Sequence, residues 1–323
     1  HFSDFIMLWK LIHYTRMPEE PEKGPDSVIE QYHNSGLESG SRIRENLSIA
    51  VKKGIETLGN GLLQEVQNES LKDWIAQNNK EHVPQYYGEL LRLIYRLLFI
   101  MVIEERDLVY PEKLDKTQER QKRIYYNYYS LQRMRKLARQ NYYNNEKNYD
   151  LWDYLLNVFS LYEGEKGKPL GLQALAGDLF SSSSIEHLRE CTLNNDILLS
   201  VFKGLNLFKN DQDQYIQVNY KSLDVEEFGS VYEGLLELKP AVDTQFWKFS
   251  FLKGDERSIS GSHYTPDELV HPLIKHSLEY LINDIIKENI SDNEKIEKLL
   301  KLTVCDVACG SGHILLAAAR RIG

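Results

Sequence analysis

The chain has 323 residues, room for two or three domains, and its 42% hydrophobic content is enough to bury substantial cores. With 39 Lys and Arg against 48 Asp and Glu the net charge is −9, which excludes a protein that coats nucleic acid over its whole surface and leaves only a local basic patch open. The three cysteines, Cys191, Cys305 and Cys309, are too few and too unevenly spaced for a disulfide framework and point to a reducing cytoplasm.

In chain order, residues 1 to 85 read as an N-terminal helical region. Met17-Pro-Glu-Glu-Pro-Glu-Lys-Gly-Pro25 is expected to be a loop or linker, and Ile43 to Val66 carries apolar residues at helical spacing. No signal peptide pattern is present, and a start at His1 rather than Met implies a trimmed N-terminus. Residues 86 to 240 read as a helical connector domain. Tyr86 to Arg106 is strongly helical, with Leu90, Leu93, Ile94, Leu97, Met101 and Glu104 along one face. Its densest apolar stretch, Leu97 to Ile103, is flanked by Arg92, Arg96, Glu104, Glu105 and Arg106 and falls well short of the roughly 20 residues of a membrane span, so it reads as a buried helix.

Between Lys116 and Arg139 the bases Lys116, Arg120, Lys122, Arg123, Arg133, Arg135, Lys136 and Arg139 stand against Glu119 alone, with Tyr125, Tyr126, Tyr128 and Tyr129 among them. Such a stretch suits phosphate contacts and base stacking, so Lys122, Arg123, Arg133, Arg135, Lys136 and Arg139 are candidate DNA-binding residues. The competing reading is a solvated helix face whose tyrosines pack inward.

Asp150 to Glu163 is a further amphipathic helix, ended by Gly164 to Pro169. The serine-rich Phe180 to Ser184 precedes short helices through Leu207, and Tyr215 to Asn219 alternates like a brief strand. Asp224 with Glu227 resembles a capping box at the start of a helix running to Pro240. From residue 241, Phe249 to Lys253 reads as a short edge strand. Thr265, Pro266 and Glu268 start a helix expected to run to about Lys287, burying Leu269, Leu273, Ile274, Leu278, Leu281, Ile282 and Ile285. Ser291 with Glu294 starts another, which delivers the chain to a short apolar stretch, Leu302 to Val307, read as a buried parallel strand.

The stretch after that strand carries the chemistry. Gly310 and Gly312 tolerate positive φ and lack a Cβ, so their backbone is able to approach a ligand closely. The Ala- and Leu-rich Leu315 to Arg321 is expected to be a helix with its N-terminal N–H groups aimed at the same crevice. A phosphate-binding loop needs a Gly-Lys-Ser/Thr end that this turn lacks, and Gly164-Glu-Lys-Gly-Lys168 runs into Pro169 instead. A nicotinamide fingerprint needs a third glycine where Leu315 stands. Asp306-x-Ala308-x-Gly310-x-Gly312 remains, suited to a ligand with a cationic and polar amino-acid end. Cys305, Cys309 and His313 mimic metal-ligand spacing but read as small buried residues of the turn, with no metal expected.

This turn resembles the first motif of S-adenosylmethionine-dependent methyltransferases in its DNA adenine methylase form. Gly261-Ser-His-Tyr-Thr-Pro266 upstream of Asp306-Val-Ala-Cys-Gly-Ser-Gly-His313 is similar to the order found in γ-class N6-adenine DNA methyltransferases. Phe228-Gly-Ser-Val-Tyr-Glu-Gly-Leu-Leu236 and Leu170 to Phe180 resemble segments ahead of the methylase in type IIG restriction-modification enzymes, and phage-defence methyltransferases of the BREX type share the style. The resemblance covers roughly residues 86 to 323.

It implies a mainly α-helical N-terminal and connector region leading into the start, at 241 to 323, of an α/β Rossmann-like methyltransferase domain truncated after its first strand and helix. It further implies S-adenosylmethionine as cofactor, with Tyr264, Thr265 and Pro266 shaping the methionine side of the pocket and Asp306, Ala308, Gly310 and Gly312 forming the turn beneath. Double-stranded DNA is the implied partner and a bacterial cytoplasm the implied location, with no membrane. Val307 stands where the family often has proline, and Ile314 where it often has phenylalanine or methionine.

No Asn-Pro pair occurs in the sequence, so the Asn-Pro-Pro-Tyr/Phe motif that holds a flipped adenine is missing and no catalytic residue is assigned. Orientation of the target nitrogen contributes about 7 to 11 kcal/mol to such transfers, so the chain alone is expected not to methylate DNA. Mg²⁺ enters only if the parent enzyme carries a nuclease. Glu237-Leu-Lys239 has a nuclease-like triplet, but Pro25-Asp26 is far away and a charged helix end explains it. The alternatives are a helical DNA-binding or interdomain scaffold without catalysis, and a methylase acting on a protein amide or a small molecule.

Overall fold

The computed structural model describes residues 9, 13, 28–140, 147–175, 177–209, 215–221, 223, 225–236, 238–252, 265, 267–310 and 312–323. The Met17–Pro25 linker, Asp224, Glu237, Lys253, residues 261–264, Pro266 and Ser311 lie outside them. The chain divides into two compact units, His1–Ile49 and Ala50–Gly323. In the first, Trp9 meets His13 edge-on at 4.6 Å, and helix α1 (Val28–Gln64) begins.

The second unit is built around α3 (Asn79–Glu105), which crosses the boundary expected at residue 85. Its apolar residues recur so densely that Leu90, Leu93, Ile94, Leu97 and Ile100 are all fully buried. Around it pack α2 (Glu69–Gln77), α5 (Leu131–Leu137), α7 (Glu186–Arg189) and β3 (Pro240–Asp243). Helices α4 (Lys116–Tyr128), α6 (Asp150–Tyr162) and α8 (Asn195–Asn206) complete the connector, and the Ser-rich stretch folds as two 3-10 turns, Asp178–Phe180 and Ser182–Ile185. Among the described residues no helix is long and apolar enough to cross a membrane.

The strands are two isolated antiparallel hairpins. β1 (Leu207–Lys209) pairs with β2 (Tyr215–Gln217), and β3 pairs with β4 (Lys248–Phe251) in the register Pro240–Phe251 to Asp243–Lys248. The Asn60 side chain on α1 serves as a surrogate strand for β4: its Nδ2 donates to the Phe249 carbonyl at 3.0 Å and its Oδ1 accepts from the Phe249 N–H at 2.9 Å. Both hydrogen bonds satisfy an edge that would otherwise be open.

α9 (Val225–Leu236) is tied to α3 by the Tyr87 hydroxyl, which donates to the Leu235 carbonyl at 2.6 Å, and by Tyr95 edge-on to Tyr232 at 5.3 Å. Beyond the second hairpin come α10 (Asp267–His276), α11 (Leu278–Lys287), α12 (Asp292–Leu300) and α13 (His313–Ile322). The single helix expected up to Lys287 is two. Pro272 removes a hydrogen-bond donor, and the Ser277 hydroxyl bonds back to the Leu273 carbonyl at 2.6 Å where the chain turns. The Ser291–Glu294 capping box forms as read.

These helices share only a small core of Leu278, Ile282 and Ala318, flanked by Ile274, Leu299, Leu302 and Ile322. Leu269, Leu273 and Leu281, expected inside, are exposed, as are Tyr280, Ile296 and Leu300. The apolar stripe therefore faces solvent over much of its width.

Residues 302–307 do not form the expected strand. Ladder hydrogen bonds need a neighbour, and the described strands pair only within their own hairpins. Val304 is exposed, Val307 is 98% exposed, and Cys305 and Cys309 are exposed rather than buried, because no layer covers this segment among the described residues.

Candidate functional site

The glycine turn closes as its residue types require. Gly310 has φ 49° and Gly312 φ 82°, both in the left-handed region that side chains resist. The Gly312 N–H donates to the Cys309 carbonyl at 2.6 Å, and Gly312 is the N-cap of α13 with no side-chain cap. Among the described residues the Ile314 and Leu315 N–H groups are left for another partner, at the positive end of the helix dipole.

Asp306 shapes the turn from its other side. Its Oδ1 accepts from the Ala308 N–H at 3.0 Å, while its Oδ2 is shielded from solvent and has no hydrogen-bond partner among the described residues. An orphaned carboxylate oxygen is costly unless a donor is supplied from outside.

The two sequence motifs meet here. His313, 7% exposed, places its Nδ1 2.8 Å from the Thr265 carbonyl, so Thr265 adjoins the start of α13. Tyr264 and Pro266 lie outside the described residues. α11 is bound to α13 by a bidentate ion pair, with Arg321 Nε on Glu279 Oε2 at 2.6 Å and Arg321 Nη2 on Oε1 at 2.5 Å, which holds the Glu279 carboxyl below its ordinary range. A cavity of about 360 Å³ between α10 and α13 is lined by His271, Lys275, Glu279, His313, Arg320 and Arg321 among others.

One residue of the site was not singled out in the sequence. Glu233 on α9 is 8% exposed, and a Cβ built on Gly310 would lie 3.0 Å from its Oε1. Among the described residues it has no hydrogen bond or ion pair. The available signal was a lone acid inside the apolar segment Val231 to Leu236.

The fit to an amino-acid-bearing cofactor rests on these features. An orphaned acid oxygen, uncapped N–H groups and a Gly312 whose added Cβ would meet nothing within 4 Å together leave space with complementary polarity above the turn. Ala308 supplies only its backbone, through the N–H that Asp306 already engages.

The basic stretch divides in the structure. Arg135 is 5% exposed, is paired with Glu105, and lies over the Tyr220 ring at 5.2 Å. That burial removes it from the candidate DNA contacts. Lys122 is bound to Asp107 at 2.6 Å. Tyr125 is fully buried, with its hydroxyl donating to Glu104 Oε1 at 2.7 Å. Arg123, Arg133, Lys136 and Arg139 remain exposed, Arg139 donating to Gln217 and Arg133 lying over Tyr154 at 5.4 Å.

Comparison with known proteins adds one relative. The chain is 23% identical over 268 residues to a Methanocaldococcus jannaschii protein named as a candidate type II restriction enzyme and methyltransferase, with 71% of this chain and 20% of the relative covered. No family model matches the chain, and no solved structure matches it. The chain therefore spans about a fifth of the length of the relative it matches, and its likeness is to a restriction-modification protein.

Proposed function

We propose that this chain forms the helical connector and cofactor turn of an S-adenosylmethionine-dependent DNA methyltransferase specific for adenine, working in a restriction-modification or phage-defence system. The observation that carries the reading is the contact between His313 and Thr265, which sets Thr265 beside the residue that follows the glycine turn. The distant likeness to a restriction and methyltransferase protein supports it. In this reading residues 302–323 open a Rossmann-like domain.

Asp306 and the first N–H groups of α13 would hold the amino-acid end of the cofactor, and Gly310 and Gly312 let the backbone close on it. Thr265, with Tyr264 and Pro266, would line the methionine side. When bound, the cofactor supplies a sulfonium methyl group for transfer. This chain's residues bind and orient; none of them is assigned to activate the adenine.

The test is nucleoside analysis of DNA from cells expressing the intact gene. N6-methyladenine is expected with the wild type and absent with Asp306→Ala. Methylated cytosine in its place, or no modified base despite cofactor binding, would reject adenine as the substrate.

The exposed cations on α4 and α5 favour a second role for the connector, contact with the DNA backbone through Arg123, Arg133, Lys136 and Arg139.

A further inference from the structure

We infer that Glu233, on the connector helix α9, is a cofactor-binding residue that receives the ammonium group of the ligand's amino-acid end; this rests on the cofactor reading of the glycine turn. Glu233 is nine-tenths buried, offers a carboxylate with several acceptor sites, and fills none of them with a described donor. Its Oε1 stands beside Gly310, at the point where any side chain on that residue would crowd it. An unpartnered carboxylate in so enclosed a place is an acceptor ready for a bound cation.

Three features around the turn select the ligand chemistry. Asp306 Oδ2 is shielded without a donor, and the Glu233 carboxylate approaches the same turn from another element. The start of α13, a helix of ten residues, presents the Ile314 and Leu315 N–H groups and a positive dipole end that favour an anion. A simple cation would satisfy the acids and leave the helix end bare, whereas a simple anion would do the reverse. An α-amino acid group carries both charges within one small unit, its ammonium to the acids and its carboxylate to α13.

The position of Glu233 is set by the connector and not by the turn. Tyr87 and Tyr95 fix the rotation of α9 through Leu235 and Tyr232, and Glu233 lies about 100° round the helix from Tyr232. The connector thereby contributes one wall of the cofactor site.

The experiment compares three ligands on the full chain by calorimetry: S-adenosylmethionine, S-adenosylhomocysteine, and methylthioadenosine, which has no amino-acid end. Glu233→Gln keeps the shape and removes the charge. The expected result is a loss of about 10- to 100-fold in affinity for the first two ligands, with methylthioadenosine unaffected. Unchanged affinity for the first two would overturn the inference and leave the cofactor reading standing. An equal loss for all three would also overturn it, since it would mean that α9 had merely shifted. Wild-type protein that binds none of the three would overturn the cofactor reading itself, and this inference with it.

Discussion

The helical connector and the glycine-turn region differ in how firmly buried polar groups tie them together. In the connector, Arg96 is fully buried with four of its five N–H donors paired: Nε donates to the Leu179 carbonyl at 2.7 Å, Nη2 to the Ser181 carbonyl at 2.6 Å and Ser184 Oγ at 2.7 Å, and Nη1 to Glu163 at 2.5 Å. Phe159 and Phe180 hold its plane from 5.3 and 5.4 Å. Around the turn, Asp306 Oδ2 is shielded without a donor, and Leu269, Leu281 and Leu300 stand exposed. In the connector such networks fix the fold, although Tyr95, Arg135, Trp152, Asp196 and Asn206 each keep one buried polar atom without a partner. At the turn, Asp306 Oδ2 stands ready for a donor from outside.

Removing Arg96 is the largest expected break in this comparison. Arg96→Met leaves Glu163 with Arg189 alone and takes one donor each from the Leu179 and Ser181 carbonyls, which keep only Ser184, so a loss of about 3 to 5 kcal/mol is expected in urea unfolding. A loss below about 1 kcal/mol would show that the network is ornamental. The turn region offers no charge whose removal should cost as much.

A second break is titratable. Glu104 caps the start of α5 by accepting from the Leu131 N–H at 2.9 Å and the Gln132 N–H at 3.1 Å, with Tyr125 as a third donor. Burial raises its carboxyl from 4.5 to about 7, outweighing the donors that pull it down. A raised folded value means that the protonated acid is favoured in the folded state. Its contribution is fully present below pH 4.5 and is lost as the pH rises through about 7. The unfolding temperature should fall across that window, and Glu104→Gln should flatten the fall. An unchanged slope in the variant would assign the pH dependence elsewhere.

What the sequence made legible follows the range of the interactions. The buried face of α3 and the Ser291–Glu294 box depend on residues three or four apart, and both stand as read. Arg135 and Tyr125 were ambiguous because their partners, Glu105, Val218 and Glu104, lie on other elements, and no local spacing reports them. Leu302 to Val307 has strand composition, but a strand is a property of a pair, and no described strand lies beside it. In the site, the glycines and Asp306 were readable because their backbone demands are intrinsic. Glu233 was not, because its place beside Gly310 depends on how α3 holds α9.

The glycines sharpen the contrast on a smaller scale. Gly312→Ala forces a side chain to φ 82° and should cost about 1 to 2 kcal/mol, although the added Cβ meets no protein atom within 4 Å. Gly204, inside α8, also has open space, and Gly204→Ala should instead stabilise by about 0.5 to 1 kcal/mol. Only the first should weaken S-adenosylmethionine binding, measured under conditions where both variants remain folded. Equal binding by the two would remove the turn from the site.

The smallest effect on stability, and the last test of the connector, concerns the basic stretch. Arg133 and Lys136 are exposed, so reversing both to Glu should change unfolding by no more than about 0.5 kcal/mol for each substitution. If they bind phosphates, DNA affinity should fall and the salt dependence should flatten by roughly one unit of slope for each phosphate no longer neutralised. Arg135→Glu should do the reverse, damaging the fold by setting a second acid against Glu105 where the cation was buried. A DNA titration in which the double reversal changes nothing would leave the connector with a purely architectural part. Its exposed cations would then be the solvated outer face of α4 and α5.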